Sequence, residues 1–369
     1  MRYLNRKNTG FSLIELLIGL VIGLLATLVI MQVFSMFEGQ RRSTSGTSDA
    51  QTSGSIALYS VQRDVQLAGY GLPLYDKDNL SVKCITPPTY NHDSNAATPE
   101  MSMWPVDIID GGTTAGASDT VIVRYGNSPS GGIPIVVIGA PPGNLDVKVA
   151  SNMACNDGDS VFAVTGSSAC AVTTINDPTL VTNLTARTNN DTITLMDRTG
   201  ISASTRLSCM GRWTEVVYNV TGDNLMRSGT PFVAGIVNMQ AQYGISAVPN
   251  SNEIRQWVDA TGAWIAPGNS AINCDSANAN RNCIKALRVA FVARNGLLEK
   301  EAISKTCSSV TSANPTGVCS WDATSASPAE ASAAPAIDLT NLSDWDHYRY
   351  RVYESVITLR NAVWSKSRL

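Results

Sequence analysis

Charge is scarce in this chain, and histidine scarcer. Only 15% of its 369 residues are charged, and two are histidine, His92 and His347. With no C-x-x-C pair either, a zinc site has little to be built from. His92 beside Asp93 and His347 beside Asp346 sit in loop-like contexts and read as solvated surface groups. No nucleophile–base–acid set accompanies them, so the chain reads as a non-enzyme without a cofactor. No G-x-x-x-x-G-K-[ST] loop is present, so it does not drive nucleotide-powered work itself. The net charge of −3 leaves no basic surface of the kind phosphate contacts need, and no nucleic-acid partner is expected. "YDKDN" (75–79) and "NDGDS" (156–160) have the carboxylate density of calcium loops but lack EF-hand spacing. Polar turn chemistry accounts for both.

What the chain does have is one long apolar run near its start. "TGFSLIELLIGLVIGLL" covers Thr9 to Leu25, and from Leu16 to Phe37 there are 22 residues without charge, 14 of them Leu, Ile, Val or Phe. As a helix this run is ~33 Å long, enough to cross a bilayer core. Those 14 side chains contribute roughly −4 to −8 kcal/mol of insertion free energy, against about 2.5–3.5 kcal/mol for one buried acid. The segment inserts despite Glu15. A secretory signal does not fit, because the run is about twice an ordinary h-region and no A-x-A site follows it. Arg2, Arg6 and Lys7 precede the run and favour a cytoplasmic N-terminus, although Arg41 and Arg42 follow it.

A basic leader, then Gly10 and Phe11, then "FSLIELLIGL" with Glu15, resembles the class III signal of type IV prepilins. That resemblance implies cleavage by a membrane prepilin peptidase between Gly10 and Phe11, and methylation of the new Phe11 amine. An α-amine has a pKa near 8 and is cationic at neutral pH. Once helices stack in a filament, Glu15 of one subunit can face the Phe11 ammonium of another. Each charge is costly alone in an apolar bundle and offsets the other, which favours one axial register. The competing reading is a plain signal anchor with an incidental glutamate.

The expected architecture is α+β, a pilin-like fold with a long N-terminal hydrophobic helix and an antiparallel β-rich head. Residues 1–10 form the leader and 11–38 the transmembrane and assembly helix. Residues 39–72 hold a polar Ser/Thr/Gly-rich segment and a second, amphipathic helical part; 73–369 form the head with long loops. Pilins usually run one helix into the head, but "STSGTSDAQTSGS" (43–55) has ten Ser, Thr or Gly in 13, so a weakened or melted segment is expected there. Helical periodicity resumes with Leu58, Val61, Val65 and Ala68 on one face, and Gly69, Gly71 and Pro73 end it. Strands are expected at 119–126, 133–139, 145–150, 160–166, 191–197, 284–294 and 348–361. "WTEVVYNVTGDNLMR" reads as a hairpin turning at Thr221-Gly222-Asp223. "FVAGIVNMQAQYGI" (232–245) reads as a short helix leading into a strand, and the Ala/Ser/Pro-rich 320–339 as a surface loop.

"RDVQLAGYG", "GIVNMQAQYGI", "ALRVAFVARN" and "YESVITLRN", in that order, resemble PilW-type minor pilins and more loosely the J-type pseudopilin of type II secretion. This implies a subunit that waits in the inner membrane with its head in the periplasm and then joins the pilus on the cell surface. Implied partners are other minor pilins, the major pilin, the prepilin peptidase, the inner-membrane assembly platform and a large tip adhesin. The implied role is priming assembly and sitting at the tip; a tip adhesin or receptor, or a secretion pseudopilin, is the alternative. Eight cysteines, Cys84, Cys155, Cys170, Cys209, Cys274, Cys283, Cys307 and Cys319, lie beyond the apolar run and suit disulfides in an oxidising periplasm. Eight allow 105 connectivities; short separations favour 155–170, 274–283 and 307–319, leaving 84–209. Trp257 and Trp264 read as core or hairpin packing before a sugar or partner surface.

Overall fold

A computed structural model describes residues 12–72, 89–90, 101–141, 143–165, 169–180, 190–249, 251–266, 274–306, 317–320 and 337–361. The first element, α1, is one unbroken helix of 55 residues, Leu13–Leu67, ~80 Å long. It does not weaken across 43–55. The correction has a steric cause. Gly46, Ala50, Gly54, Ala57, Val61 and Val65 share a buried face against the head. A Cβ at Gly46 would lie 1.9 Å from Asn295 Oδ1, and one at Gly54 would lie 2.1 Å from the Tyr353 ring. Each glycine lowers helix propensity by about 1 kcal/mol, but allows a backbone approach that no larger residue permits. Thr44 and Thr52 donate back to the carbonyls of Gln40 and Ser48, at 2.9 and 3.0 Å. Seam packing thus outweighs propensity. We expect Gly54→Leu to destabilise the helix–head seam by about 1–3 kcal/mol, the ordinary cost of overpacking. Thermal unfolding and protease nicking within 43–55 measure it.

Among the described residues α1 is followed by strands β1 (Thr89–Tyr90), β2 (Met101–Ser102), β3 (Val106–Ile109) and β4 (Thr120–Tyr125). Next come β5 (Pro134–Gly139), β6 (Asp146–Val149), β7 (Ser160–Thr165), β8 (Ala169–Thr174), β9 (Thr192–Thr194) and β10 (Arg206–Gly211). The last seven are β11 (Thr214–Thr221), β12 (Asn224–Arg227), β13 (Thr230–Ala234), β14 (Ile236–Ile245), β15 (Gln256–Val258), β16 (Ile284–Arg294) and β17 (Tyr350–Thr358). They form antiparallel sheets in the orders β15-β14-β16-β17, β13-β12-β11-β4-β3 and β8-β7-β10-β5-β6-β9, with β1-β2 as a small pair. The fold is therefore α+β, a long apolar helix carrying an antiparallel head.

The four-stranded sheet receives α1 across β16 and β17. Its strands β14 and β16 are buried almost throughout, so they read as continuous apolar runs. The stretch 232–245 contains no helix. Gly235, at φ +80°, instead breaks it into β13 and β14. Strand β14 is buried on both faces and packs on β11 and β12 of the five-stranded sheet, so its run lacks a period of two and imitates helical patterning. The 221–224 hairpin turns on Gly222 and Asp223, both at positive φ (56° and 60°), as a two-residue turn between twisted strands requires.

Tyr125 and Thr214 are register partners on β4 and β11, so the whole of 126–213 leaves and re-enters at one hairpin end. That excursion carries the six-stranded sheet and its own apolar core, including Val137, Val147, Ile175, Leu195 and Leu207. Of the 320–339 stretch, residues 321–336 lie outside the described residues, while Ile337 and Leu339 are buried beside Val237 and Val292.

Candidate assembly helix and its junction with the head

The first half of α1 packs against no other element among the described residues. Its apolar side chains from Leu13 to Phe37 are exposed throughout, and an 18-residue window reaches a mean hydropathy of 2.8 with none of it buried. By length and composition α1 is the one helix among the described residues able to cross a membrane. Gly10 and Phe11 lie outside the described residues. Glu15 is described, and its carboxylate has an occupation that sequence reasoning missed. Ser12 is the N-cap; its Oγ accepts from Ile14 N at 3.4 Å, and Glu15 Oε2 accepts from Ser12 N at 3.1 Å. This is a capping box, and the S-x-x-E spacing was its signal. Within a single chain the acid satisfies a backbone donor of its own helix start.

The second half of α1 is fixed by a buried ionic latch. Asp64, whose side chain is 1% exposed, accepts from Tyr218 Oη at 2.7 Å and Arg227 Nη2 at 2.8 Å. Arg227 Nε also donates to Tyr218 Oη at 3.1 Å, and Arg63 lies 3.5 Å from the other Asp64 oxygen. Burial pushes the Tyr218 phenol well above its usual range and the bond to Asp64 adds to this, so Tyr218 remains a donor. The signal that could have found the latch is a carboxylate beside Val61 and Val65 on an otherwise apolar helix face. At the helix end, Asn361 Nδ2 donates to the carbonyls of Ala68 and Leu67, at 2.9 and 3.3 Å. The chain just past β17 thus caps the helix that β17 packs against.

Three further acids brace the head. Arg124 of β4 forks between Asp107 and Glu215, 2.6 Å from each, and pins β3, β4 and β11 together. Asp119 accepts from Gly111 N at 2.9 Å and Ala241 N at 2.7 Å, tying β4 to β14. Burial raises its carboxyl to about 6 despite those donors. Between pH 4 and 6 the folded form keeps a proton that the unfolded chain has lost, so stability falls as pH rises through this window and levels above it. Two units correspond to about 3 kcal/mol. Unfolding free energies of wild type and Asp119→Asn should diverge across that window; parallel curves would refute the assignment.

Cys155 bonds Cys209 with Cα atoms 5.2 Å apart, and Cys274 bonds Cys283 at 5.8 Å. The expected pairs 155–170 and 84–209 are therefore corrected. Cys155 precedes the end of the β7–β8 hairpin where Ser160 meets Thr174, while Cys170 lies opposite Val164, four ladder steps away. Cys209 on β10 turns inward beside Cys155 in the same core. Sequence separation misjudged a contact that the sheet order sets. Cys319 is disulfide-bonded; Cys84 and Cys307 lie outside the described residues.

The other singled-out residues have local roles. In "NDGDS", Asp159 accepts from Asn156 N at 2.8 Å within the turn, and Asp157 accepts from Asp177 N at 2.8 Å, tying the turn to the segment after β8. His347 Nδ1 lies 2.9 Å from the Glu299 carbonyl. Trp264 is buried, and Arg288 stacks over Trp257 at 4.9 Å, with Gly244 directly beneath that ring. "YDKDN" and His92 lie outside the described residues. Among the described residues no group of three metal-ligating side chains converges.

Comparison with known families places matches at both ends of the chain. Residues 5–31 match the prokaryotic N-terminal methylation motif. Residues 200–361, which carry β10 to β17 and the strands that dock α1, match PilW, described as type IV Pilus-assembly protein W. No curated protein and no solved structure matches the chain. The chain is thus similar to PilW over β10 to β17 and to the N-terminal methylation motif at the start of its bare apolar helix, a pairing that supports membrane anchoring before assembly into a surface pilus.

Proposed function

We propose that this chain is a PilW-type minor pilin, and that it joins a complex of minor pilins that primes pilus assembly at the inner membrane and stays at the filament tip. The observation that carries the reading is the division of α1. One half is apolar and bare of contacts, and the other is locked into the head by Asp64 and the glycine seam. Such a helix can exchange lipid for neighbouring helices while its head moves as one piece with it. The peptidase cuts between Gly10 and Phe11, and the methylated Phe11 amine meets Glu15 of the next subunit. Glu15 then trades its backbone donor for a cation. Partners are other minor pilins, the major pilin and the inner-membrane platform, with the head periplasmic before assembly. The chain acts as a structural subunit without enzymatic activity.

Deleting the gene tests this directly. Loss of an assembly primer abolishes surface filaments, whereas loss of an adhesin leaves filaments and lowers attachment. The 126–213 excursion, with its own core and disulfide, supports a second role as a tip receptor or adhesin surface. Excising it and joining Tyr125 to Thr214 through a short turn separates the two: filaments persist and attachment falls if the excursion is that surface.

A further inference from the structure

Between α1 and the start of the last strand lies a cleft of about 340 Å³, walled by Thr47 on the helix side and by Asn295, Ser304, Arg349 and Arg351 on the head side. Its chemistry is that of donors. Asn295 is 1% exposed; its Oδ1 accepts from Leu297 N at 3.0 Å, while its Nδ2 is buried without a partner. Such an orphan donor is costly and rare in a finished structure. Arg349 and Arg351 stand two residues apart in an extended segment, so both side chains fall on one side of it. Arg349 Nε pairs with Glu299 Oε1 at 2.7 Å, and among the described residues no ion pair involves Arg351. One acid faces two guanidiniums, and a positive surplus remains.

We propose that this cleft receives a carboxylate side chain, Asp or Glu, from a neighbouring pilin subunit. The proposal rests on the filament reading above. A lipid phosphate is the wrong anion for geometric reasons. Thr47 lies ten residues past Phe37, the end of the apolar run, which is ~15 Å along the helix and beyond a headgroup layer of about 5–8 Å. That is the level where α1 enters the head, and where bundled subunits bring heads against neighbouring helices. A planar carboxylate suits a guanidinium fork such as that of Arg351.

The test uses the full-length protein in intact pili. In R351K the introduced amine is treated with a water-soluble carbodiimide, which joins it to any carboxylate in direct contact. The expected product is an isopeptide bond to an Asp or Glu of another pilin, read by mass spectrometry and absent from R351Q. In parallel, R351E is cleaved by the peptidase and forms the Cys155–Cys209 bond normally, but its share of sheared pili falls about tenfold. A crosslink to Glu299 of the same chain, to a protein outside the filament, or to nothing overturns the proposal while leaving the filament reading in place. Absence of the wild-type chain from pili overturns both.

Discussion

Glu15→Ala and Glu15→Gln are both expected to be cut by the prepilin peptidase, and both to lose about tenfold or more of their share in sheared pili. The two substitutions separate two roles of one carboxylate. In the single chain Glu15 accepts from Ser12 N, and removing that cap with alanine costs about 0.5–2 kcal/mol of helix start. Glutamine keeps the cap, because an S-x-x-Q box closes in the same way. It cannot balance an ammonium. If the acid's purpose is to fix axial register against the methylated Phe11 amine, glutamine fails nearly as badly as alanine, since either leaves an uncompensated cation among apolar helices. Normal incorporation of the glutamine variant, measured by immunoblot against the major pilin, would reduce the carboxylate to a capping group. The mature mass of each variant checks that cleavage after Gly10 has occurred.

Asp64→Ala is expected to release the helix from the head. Removing one member of a buried ion pair usually costs 3–5 kcal/mol. Arg227 is one-third exposed and can rehydrate in part, so about 2–4 kcal/mol is the expected loss here. The Tyr218 hydroxyl, buried and donating to the missing oxygen, accounts for much of it. Tyr218→Phe alone should cost about 1 kcal/mol, and adding it to Asp64→Ala should cost less than it does alone. Denaturant unfolding of the full chain in micelles measures the cycle. A fully additive pair would mean that the two groups do not share one network. Because the latch holds α1 against the five-stranded sheet, loss of stability should appear first as proteolysis between Val61 and Gly69.

The sequence was most legible where one effect dominates. Twenty-two uncharged residues are long and apolar enough for a helix that crosses a membrane, and strands such as β4, β5, β7 and β16 alternate or run apolar strongly enough to declare themselves. It misled where two effects compete. At 43–55, propensity argued against helix, and the deciding term was the approach of Asn295 and Tyr353, residues some 250–300 positions away. At 232–245, burial on both faces erased the period of two. No pattern declares β3, β8 or β10: β3 has four residues, and β8 and β10, six each, mix small and polar residues with apolar ones. Of the junction, Val61, Val65 and Ala68 were read correctly as a packed face. Asp64 on that same face was passed over, since its partners Tyr218 and Arg227 cannot be located from helix periodicity.

By itself the sequence determined the pattern of the N-terminus: a basic stretch, then Gly10 and Phe11, an apolar rod, and one acid four positions beyond Phe11. Those features are local, and spacing along a single helix is enough to express them. Only the tertiary structure decided that the rod continues unbroken into the head, that Cys155 bonds Cys209, and that Asp64 meets Arg227. Each of these joins residues between 54 and roughly 300 positions apart. Their energies arise from steric fit and desolvation at contacts that exist only after the sheets have assembled.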